Sequence, residues 1–164
     1  MTTDRAHTVV DSPIGPLTLV SDGGHLVGCY MADQKHRPDE TAFGDRDDSA
    51  APFEETRRQL AEYFAGERTE FDLPLAPVGT EFQRLVWTAL RRIPYGQTWS
   101  YGRLATEVGN AKASRAVGLA NGRNPLCVVV PCHRVVGASG SLTGFAGGIE
   151  RKKTLLDLES SHGT

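Results

Sequence analysis

Residues 126–135 read LCVVVPCHRV and join an apolar run to a reactive side chain. The run Leu126–Val130 predicts a short buried strand. Pro131 has no N–H to donate to a sheet ladder, so the strand is expected to end there. Cys132 would then lie at the rim of the core of this 164-residue chain, where a thiol can be both sheltered and reachable.

Cys132 is directly followed by two side chains that favour ionisation of a thiol, His133 and Arg134. The thiolate is the nucleophilic form of cysteine, and neighbouring cationic or basic groups promote it. The alternative is that Cys132 is a small buried hydrophobic residue, but a core position needs no charged dipeptide beside it. Cys29 and Cys127 lie among apolar neighbours and fit that structural role better.

The composition is that of an ordinary globular protein, 39% hydrophobic and 23% charged. No apolar run approaches the ~20 residues that span a membrane, and the N-terminus lacks the apolar stretch of a signal peptide. Three cysteines without disulfide-framework spacing favour a reducing, cytoplasmic setting. The chain is therefore expected to have no membrane partner.

The charge is distributed unevenly along the chain. Residues 1–78 hold 7 Lys/Arg and 15 Asp/Glu, a formal charge of −8, and residues 79–164 hold 11 and 5, a formal charge of +6. A basic C-terminal half suggests that it faces an anion such as nucleic acid. Chance segregation of charge remains an equally good interpretation at this point.

The N-terminal half predicts a small antiparallel meander with one helix. Its β-rich segments are separated by Pro/Gly turns and cover residues 7–11, 17–20 and 26–31. The polar segment 33–52 predicts a loop or linker, and residues 53–65 have helical spacing with a stop at Gly66. Residues 71–75 suggest an edge strand. The clustered prolines and glycine at 75–79 predict a boundary between domains 1–78 and 79–164.

The C-terminal half predicts mainly helices. Thr80 and Gln83 form a capping-box pattern for a helix that runs to about Arg92. Short helices at 101–108 and 114–121, joined by a glycine-containing turn, form a helix-turn-helix pattern. A glycine-rich loop at 137–148 precedes a last helix at about 149–160. The predicted fold class is therefore mixed α/β (α+β), an antiparallel sheet with a helix followed by a helical domain.

The second helix of the helix-turn-helix carries small side chains where a recognition helix usually carries long polar ones. Ser114, Ala116 and Gly118 give it little bulk, and Arg115 stands alone at its start. Without side chains that read base edges in the major groove, it favours sequence-independent binding in the narrower minor groove. Tight helix–helix packing is the other interpretation of the same pattern.

Five motifs together resemble a known family, the O6-alkylguanine-DNA alkyltransferases. In order they are Ile93–Gly96, Ser100–Gly102, Ser114–Gly118, Arg123–Pro125 and Val130–Val135. The N-terminal half is similar only through Asp11–Gly15 and its strand pattern. The resemblance implies a DNA-repair protein that binds double-stranded DNA containing O6-alkylguanine. It implies a stoichiometric transferase that acts once, without a cofactor.

The resemblance also implies roles for single residues in the chemistry. Cys132 would accept the alkyl group irreversibly, and His133 would take the thiol proton through a water. Glu159 would orient that imidazole, following the nucleophile–base–orienter logic of a triad. Tyr101 would donate a hydrogen bond to N3 of the departing guanine.

The remaining implied roles concern DNA and the flipped base. Arg115 would fill the gap left by the rotated nucleotide, beside Ser114, Ala116 and Gly118. Asn124 would lock the turn between this helix and the strand that carries the cysteine. The base pocket would comprise Tyr101, the carbonyl of Val135, and a loop at about 141–147 that includes Phe145, Ala146 and Gly147.

The sequence departs from the family pattern at Phe145-Ala146, where Tyr-Ser is usual. Base binding should survive, while the rate or the preferred alkyl group can differ. No convincing metal-ligand spacing involves Cys29 or the scattered His7, His25 and His36, so no metal is expected.

Three alternatives stay open at the level of sequence. An alkyltransferase-like binder would lack the cysteine, which this chain has. A helix-turn-helix regulator would need base-reading side chains in the second helix. In a Cys-His hydrolase the histidine usually lies far from the cysteine in sequence. A monomer is the expected oligomeric state.

Overall fold

The computed structural model describes residues 4–142 and 145–162, and it begins with a four-stranded sheet. The strands are β1 Arg5–Val10, β2 Leu17–Asp22, β3 His25–Met31 and β4 Asp45–Arg46, in the order β3-β2-β1-β4. The first three pair antiparallel, which confirms the predicted meander, while β4 pairs parallel with β1.

Strand β2 lies in the interior of this sheet, and apolar side chains cover both of its faces. Leu17 and Leu19 face the main core, while Val20 packs with Val27 and Phe43 on the opposite face. Phe43 belongs to the segment 33–52, which is mostly loop, as predicted, but contains a short 3₁₀ turn and the two-residue strand β4. The 3₁₀ turn covers Glu40–Phe43, and its residue Phe43 is buried against the sheet. Strand β4 pairs with β1, so the segment is held against that strand.

Five α-helices follow and match the predicted positions closely. They are α1 Phe53–Phe64, α2 Glu81–Leu90, α3 Tyr101–Glu107, α4 Ser114–Gly122 and α5 Ile149–His162. Thr80 and Gln83 close the capping box of α2, and Ser100 caps α3 by accepting a hydrogen bond from the N–H of Arg103. Helices α3 and α4 pack against each other as the helix-turn-helix pattern predicts.

The apolar run 126–130 is buried but is not a strand. Only Leu126 makes an isolated bridge, to Cys29, and the chain then turns through Val128 at a φ of 73°. Backbone groups in the core need partners. Here the side chain of Asn124 and the backbone of Cys29 supply them, together with turn hydrogen bonds such as Val130 N–H to Leu126 O, 2.8 Å.

A second difference lies just after this turn. Residues Cys132–Arg134 form a 3₁₀ turn, followed by β6 Val135–Val136, which pairs parallel with β5 Trp99–Ser100. The expected edge strand at 71–75 reduces to one bridge between Leu75 and Leu26, where Pro74 has no N–H to extend a ladder.

One hydrophobic core joins the sheet to the helices. It runs from Leu17 and Cys29 through Tyr63 and Trp87 to Leu155. Cys132 is one of its members, so the candidate nucleophile is supported from both halves of the chain. Within the described ranges, none of the helices has the length and apolar character required to cross a membrane.

Candidate active site

Cys132 opens the 3₁₀ turn and is 3% exposed. Two buried asparagines fix the backbone around it. Asn124 donates from Nδ2 to the carbonyl of Val130 at 2.9 Å, and its Oδ1 accepts from the N–H of Leu126 at 3.0 Å. Asn121, at the end of α4, donates to the carbonyl of Cys132 at 3.4 Å. The turn that carries the thiol is therefore tied to the helix-turn-helix.

His133 is buried in the core, where it contacts Glu159 of α5. The distance between His133 Nε2 and Glu159 Oε2 is 2.7 Å, and both side chains are buried. A carboxylate can only accept, so Nε2 carries the proton and Nδ1 has a free lone pair. Nδ1 is buried and makes no hydrogen bond with any described residue. The ring is therefore in the tautomer that can accept a proton at Nδ1.

Burial also keeps His133 neutral. Desolvation lowers the pKa of its imidazole, and the hydrogen bond and charge of Glu159 oppose this only in part. A neutral imidazole is the form that a general base requires.

Glu159 accepts more hydrogen bonds than any other carboxylate among the described residues. Arg134 donates to it from Nε at 2.7 Å and from Nη2 at 3.1 Å, and the Tyr63 hydroxyl donates at 2.5 Å. Burial raises the pKa of Glu159, but the hydrogen bonds and charges of His133 and Arg134 outweigh it and lower that pKa to about 2. Glu159 is thus a permanent anion beside the imidazole.

The surroundings of Cys132 favour its thiolate. Hydrogen bonding from the Cys127 thiol is the largest influence and lowers the pKa of Cys132, while burial raises it. Asn124 and the positive charge of Lys152 lower it further. The balance is a pKa below that of an ordinary cysteine, which is typical of reactive cysteines.

Lys152 is a site residue that the sequence interpretation missed. It is fully buried and donates from Nζ to the carbonyl of Val135 at 2.5 Å. Burial lowers the pKa of Lys152 from 10.5 to about 8, and the negative charge of Cys132 acts in the opposite direction. A signal was present, since Lys152 and Glu159 are two turns apart on one face of α5, together with the buried Leu155.

Replacing Lys152 by methionine is expected to slow reaction at Cys132 without unfolding the protein. The loss of a nearby positive charge disfavours the thiolate, so the limb of the pH–rate profile that reports thiolate formation moves to higher pH. The rate at neutral pH falls on the order of tenfold, the change that about 1.4 kcal/mol of lost stabilisation produces. Single-turnover kinetics of alkylation across a pH series measure both effects.

Although Lys152→Met should react more slowly, its folded state should not become less stable. Because the folded pKa of Lys152 is about 8 against 10.5, the unfolded chain holds this proton more tightly. The free-energy cost of burying the charged Lys152 lowers the stability of the fold fully below pH 8, and this cost is relieved as pH rises to about 10.5. Lys152→Met should therefore be at least as stable as the parent at neutral pH. Lys153→Met, at a side chain 64% exposed, is the matched control and should leave the pH–rate profile unmoved.

Helix α4 presents the small surface that the sequence predicted. Arg115 and Ala116 are exposed, Ser114 and Gly118 are half-buried, and Arg115 makes no ion pair with any described residue. The ring of Tyr101 lies against Gly118, where an added Cβ would be 3.5 Å from it. Tyr101 thus stands at the N-terminus of α3 and lies beside α4.

The loop before α5 is held against the N-terminal sheet. Phe145 is buried, and the carbonyl of Ala146 accepts a hydrogen bond from the N–H of Lys35 at 2.8 Å. Gly147 leaves no room for a side chain, because a Cβ there would collide with the end of Met31. Thr143 and Gly144, part of the predicted closing loop, lie outside the described residues.

The carbonyl of Val135, a predicted base contact, already accepts the hydrogen bond of Lys152. A carbonyl oxygen has two lone pairs, so one remains for a ligand. Among the described residues, no group of three or more His, Cys, Asp or Glu side chains could hold a metal ion.

A buried, activated cysteine beside a His–Glu pair, joined to a helix-turn-helix, defines a DNA-binding protein with a nucleophilic thiol. Comparison with known families agrees with this class. Residues 81–161 match the DNA-binding domain of 6-O-methylguanine DNA methyltransferase, and residues 6–77 match the ribonuclease-like domain of the same family. The chain belongs to the 6-O-methylguanine DNA methyltransferase family.

Relatives from several organisms are similar to this chain over almost its whole length. The methylated-DNA–protein-cysteine methyltransferase of Mycolicibacterium paratuberculosis is 53% identical over 95% of this chain and 93% of its own length. The protein of the same name from Methanosarcina acetivorans is 49% identical over 94% and 98%. The crystal structure of Mycobacterium tuberculosis OGT in complex with DNA superposes with a TM-score of 0.89 at 52% identity, covering 96% of this chain and 94% of that one.

Proposed function

We propose that this protein repairs O6-alkylguanine in double-stranded DNA by transferring the alkyl group, chiefly methyl, irreversibly to the sulfur of Cys132. The observation that carries the proposal is the buried arrangement of Cys132, His133 and Glu159, attached through Asn121 and Asn124 to a helix-turn-helix. Membership of the 6-O-methylguanine DNA methyltransferase family supports the same reaction.

The transfer itself is a displacement at carbon. The Cys132 thiolate attacks the alkyl carbon, and a new S–C bond forms. The bond between the alkyl carbon and O6 breaks, and its electron pair stays with O6 of the guanine. A thiolate suits this reaction because it is a strong nucleophile. The thioether product is stable and leaves no free thiol at position 132, so each molecule acts once.

The proton of the thiol has a defined destination. His133 Nδ1 has no hydrogen-bond partner among the described side chains and takes the proton, through a water. Glu159 holds the ring in this tautomer at Nε2 and stabilises the imidazolium that forms. Arg134 anchors Glu159 and also donates to the carbonyl of Ile93 at 2.6 Å, which fixes the carboxylate in position.

The departing guanine needs compensation for its developing negative charge. Tyr101 supplies a hydrogen bond to N3 of the base, a role of the oxyanion-stabilising kind. The walls of the base pocket are Phe145, Ala146, Gly147 and the carbonyl of Val135. Phe145 provides an aromatic surface without a hydroxyl.

Access to the lesion requires that the nucleotide leaves the stack. Helix α4 enters the minor groove with its small residues Ser114, Ala116 and Gly118, and Arg115 occupies the gap in the duplex. The basic C-terminal half, with 11 Lys/Arg against 5 Asp/Glu over residues 79–164, attracts the phosphates.

The proposal also covers the setting of the reaction. All three cysteines are free thiols, as a reducing, cytoplasmic compartment requires. The protein acts as a monomer and needs no cofactor, since the mechanism uses only groups of this one chain and a water.

The stoichiometry of transfer tests the proposed function. Protein is titrated against excess duplex carrying one O6-methylguanine with a labelled methyl group. The label found in protein should reach a plateau at one methyl per molecule. Lesion binding without label transfer would indicate a damage-sensing binder, and continued turnover would indicate a true catalyst; either result contradicts the proposal.

Arg115→Ala is expected to slow transfer from duplex DNA roughly ten- to hundredfold, because extruding a nucleotide costs a few kcal/mol that this side chain offsets. Transfer from the free base O6-methylguanine requires no extrusion and should be unchanged. Single-turnover rates with the two substrates give the comparison.

Arg115→Lys is the matched variant for this prediction. It keeps the positive charge and loses the planar guanidinium, so it should restore only part of the duplex rate. Full restoration by lysine would show that Arg115 acts as a phosphate contact. Equal loss with duplex and free base would show that the substitution damages the site itself.

A further inference from the structure

The mechanism above uses one of three buried cysteines, yet all three lie near one another. Cys29 and Leu126 form a bridge, the N–H of Cys127 donates to the carbonyl of Cys29 at 3.1 Å, and Cys132 follows one tight turn later. Each thiol is free and buried. A cluster of this kind around a reactive cysteine calls for a chemical explanation.

Cys127 is the cysteine nearest to Cys132 along the chain, and a tight turn separates the two. Residues 127–132 fold back on themselves, with hydrogen bonds of 2.8 Å from Val129 N–H to Cys127 O and from Cys132 N–H to Val130 O. Val128 makes the reversal at a φ of 73°, a conformation that a β-branched residue rarely adopts. Asn124 lies beside both residues: its carbonyl is 3.9 Å from Cys127 Sγ, and its side chain donates to the carbonyl of Val130 at 2.9 Å. Hydrogen bonding from Cys127 and Asn124 lowers the pKa of Cys132, in keeping with this arrangement.

The Cys127 side chain is also held in a polar environment that a core cysteine would not need. Its Sγ lies 3.4 Å from Gln34 Oε1 and 3.9 Å from the carbonyl of Asn124. Gln34 is itself buried, and its Oε1 accepts from the N–H of Met31 at 2.9 Å. These contacts hold the Cys127 side chain in place within the turn that leads to Cys132.

The three thiols differ in how readily they form the reactive thiolate. The pKa of Cys132 is lowered, whereas interaction with Cys132 and burial raise the pKa of Cys127. Burial raises the pKa of Cys29 to about 12. An oxidant should therefore react first at Cys132, with a protonated thiol next to it.

We propose that Cys127 is a resolving thiol, which captures oxidised Cys132 as a reversible Cys127–Cys132 disulfide. The inference rests on the proposed function, because it concerns the alkyl acceptor of that reaction. The disulfide suspends alkyl transfer and protects the sulfur from irreversible oxidation. For a protein that acts once per molecule, such protection preserves its single use.

The oxidant is a peroxide, and the steps balance. The Cys132 thiolate attacks hydrogen peroxide, so that with one proton it becomes a sulfenic acid and one water leaves. Cys127 then attacks the sulfenic sulfur, the S–S bond forms, and hydroxide departs with the Cys127 proton as a second water. Two thiols are oxidised and one peroxide is reduced. A dithiol reductant reverses the bond by exchange.

The test uses the full-length protein, hydrogen peroxide and dithiothreitol. Transfer from O6-methylguanine duplex is measured before oxidation, after oxidation and after reduction, and intact mass and a non-reduced peptide map are recorded at each stage. The parent should lose two hydrogens, carried as an internal disulfide by the tryptic peptide 124–134 that contains both Cys127 and Cys132, and should regain most of its own starting activity on reduction.

Cys127→Ser removes the resolving thiol and keeps a hydrogen-bond donor of similar size. Without a resolving thiol, the sulfenic acid on Cys132 should react with further peroxide and gain two or three oxygens in total, as the sulfinic or sulfonic acid that dithiothreitol does not reduce. The parent should therefore recover at least about fivefold more of its starting activity than this variant. Cys29→Ala is the control and should behave as the parent. Cys127→Ala gives the same comparison if the serine variant folds poorly.

Three outcomes would overturn the inference: oxygen addition to Cys132 in the parent without loss of hydrogens, a disulfide that joins Cys29 instead, or equal recovery by parent and Cys127→Ser. The proposed function fails separately. Absence of transfer in the untreated parent refutes that function, whereas the mass and peptide map still report whether the disulfide forms.

Discussion

Cys132→Ser is expected to abolish alkyl transfer while the protein still binds DNA that contains O6-alkylguanine. Serine fits the same buried turn, but its hydroxyl does not ionise at neutral pH and is a much weaker nucleophile. Loss of a triad nucleophile typically costs a factor of about 10⁴ or more in rate. Single-turnover transfer and equilibrium binding to a lesion duplex separate the two properties.

Cys29→Ala provides the comparison for this variant. Cys29 is as deeply buried as Cys132 but contributes no group to the proposed reaction, so its loss should leave transfer in place. Residual stoichiometric transfer in Cys132→Ser would assign the acceptor to another residue. Loss of lesion binding in that variant would mean that the turn, rather than the chemistry, had been disrupted.

Glu159→Gln is expected to have the largest effect on stability and a large effect on rate. The substitution leaves Arg134 buried without its counterion, and removing one partner of a buried ion pair costs about 3–5 kcal/mol. For a chain of this length the melting temperature should fall by roughly 10 °C. Transfer should slow about a hundredfold or more, because the charged form of His133 loses its stabilising anion.

Asp157→Asn is the matched control on the same helix. Asp157 is exposed and pairs with Lys153 at the surface, where an ion pair is worth about 0–1 kcal/mol. Its loss should change neither melting temperature nor rate measurably. A Glu159→Gln protein with unchanged stability and unchanged transfer would refute the assignment of Glu159 as anchor of the site.

The dependence of stability on acid follows from the same carboxylate. The pKa of Glu159 is lowered to about 2 in the folded protein, below the ordinary value of 4.5. Its contribution is therefore fully present above the unfolded value and is lost as pH falls from about 4.5 towards 2.

Much of this architecture could be predicted because it depends on local signals. The capping box at Thr80 and Gln83, the Ser100 cap and the meander turns are interactions within a few residues. The starts of α2 and α3 follow from these caps, and the approximate bounds of the other helices follow from apolar spacing and glycine stops. The Pro-Cys-His-Arg motif likewise predicted the nucleophile and its immediate neighbours.

The errors arise where long-range contacts override local pattern. The apolar run 126–130 looked like a strand, but Asn124 and Cys29 satisfy its backbone and let it turn. The polar segment 33–52 looked unstructured, but Phe43 anchors it under the sheet. In both places contacts with distant strands decide the conformation: Cys29 of β3 pairs with the run 126–130, and Phe43 packs with Val20 and Val27 of β2 and β3.

The candidate site shows the same division. His133 and Arg134 are chain neighbours of Cys132, whereas Tyr63 reaches Glu159 from the N-terminal half, 96 positions away. No local pattern predicts that contact. Lys152 was detectable in principle, as the only lysine on the buried face of α5 among its described residues, but periodicity alone does not distinguish a buried lysine from a solvated one.

The measurement that tests the central claim most directly is a peptide map of the protein after reaction with duplex DNA containing one O6-methylguanine. We expect one methyl group per molecule, on the peptide that carries Cys132, with Cys29 unmodified and the lesion converted to guanine. A methyl group on another residue, or loss of the lesion without alkylation of the protein, would contradict the account.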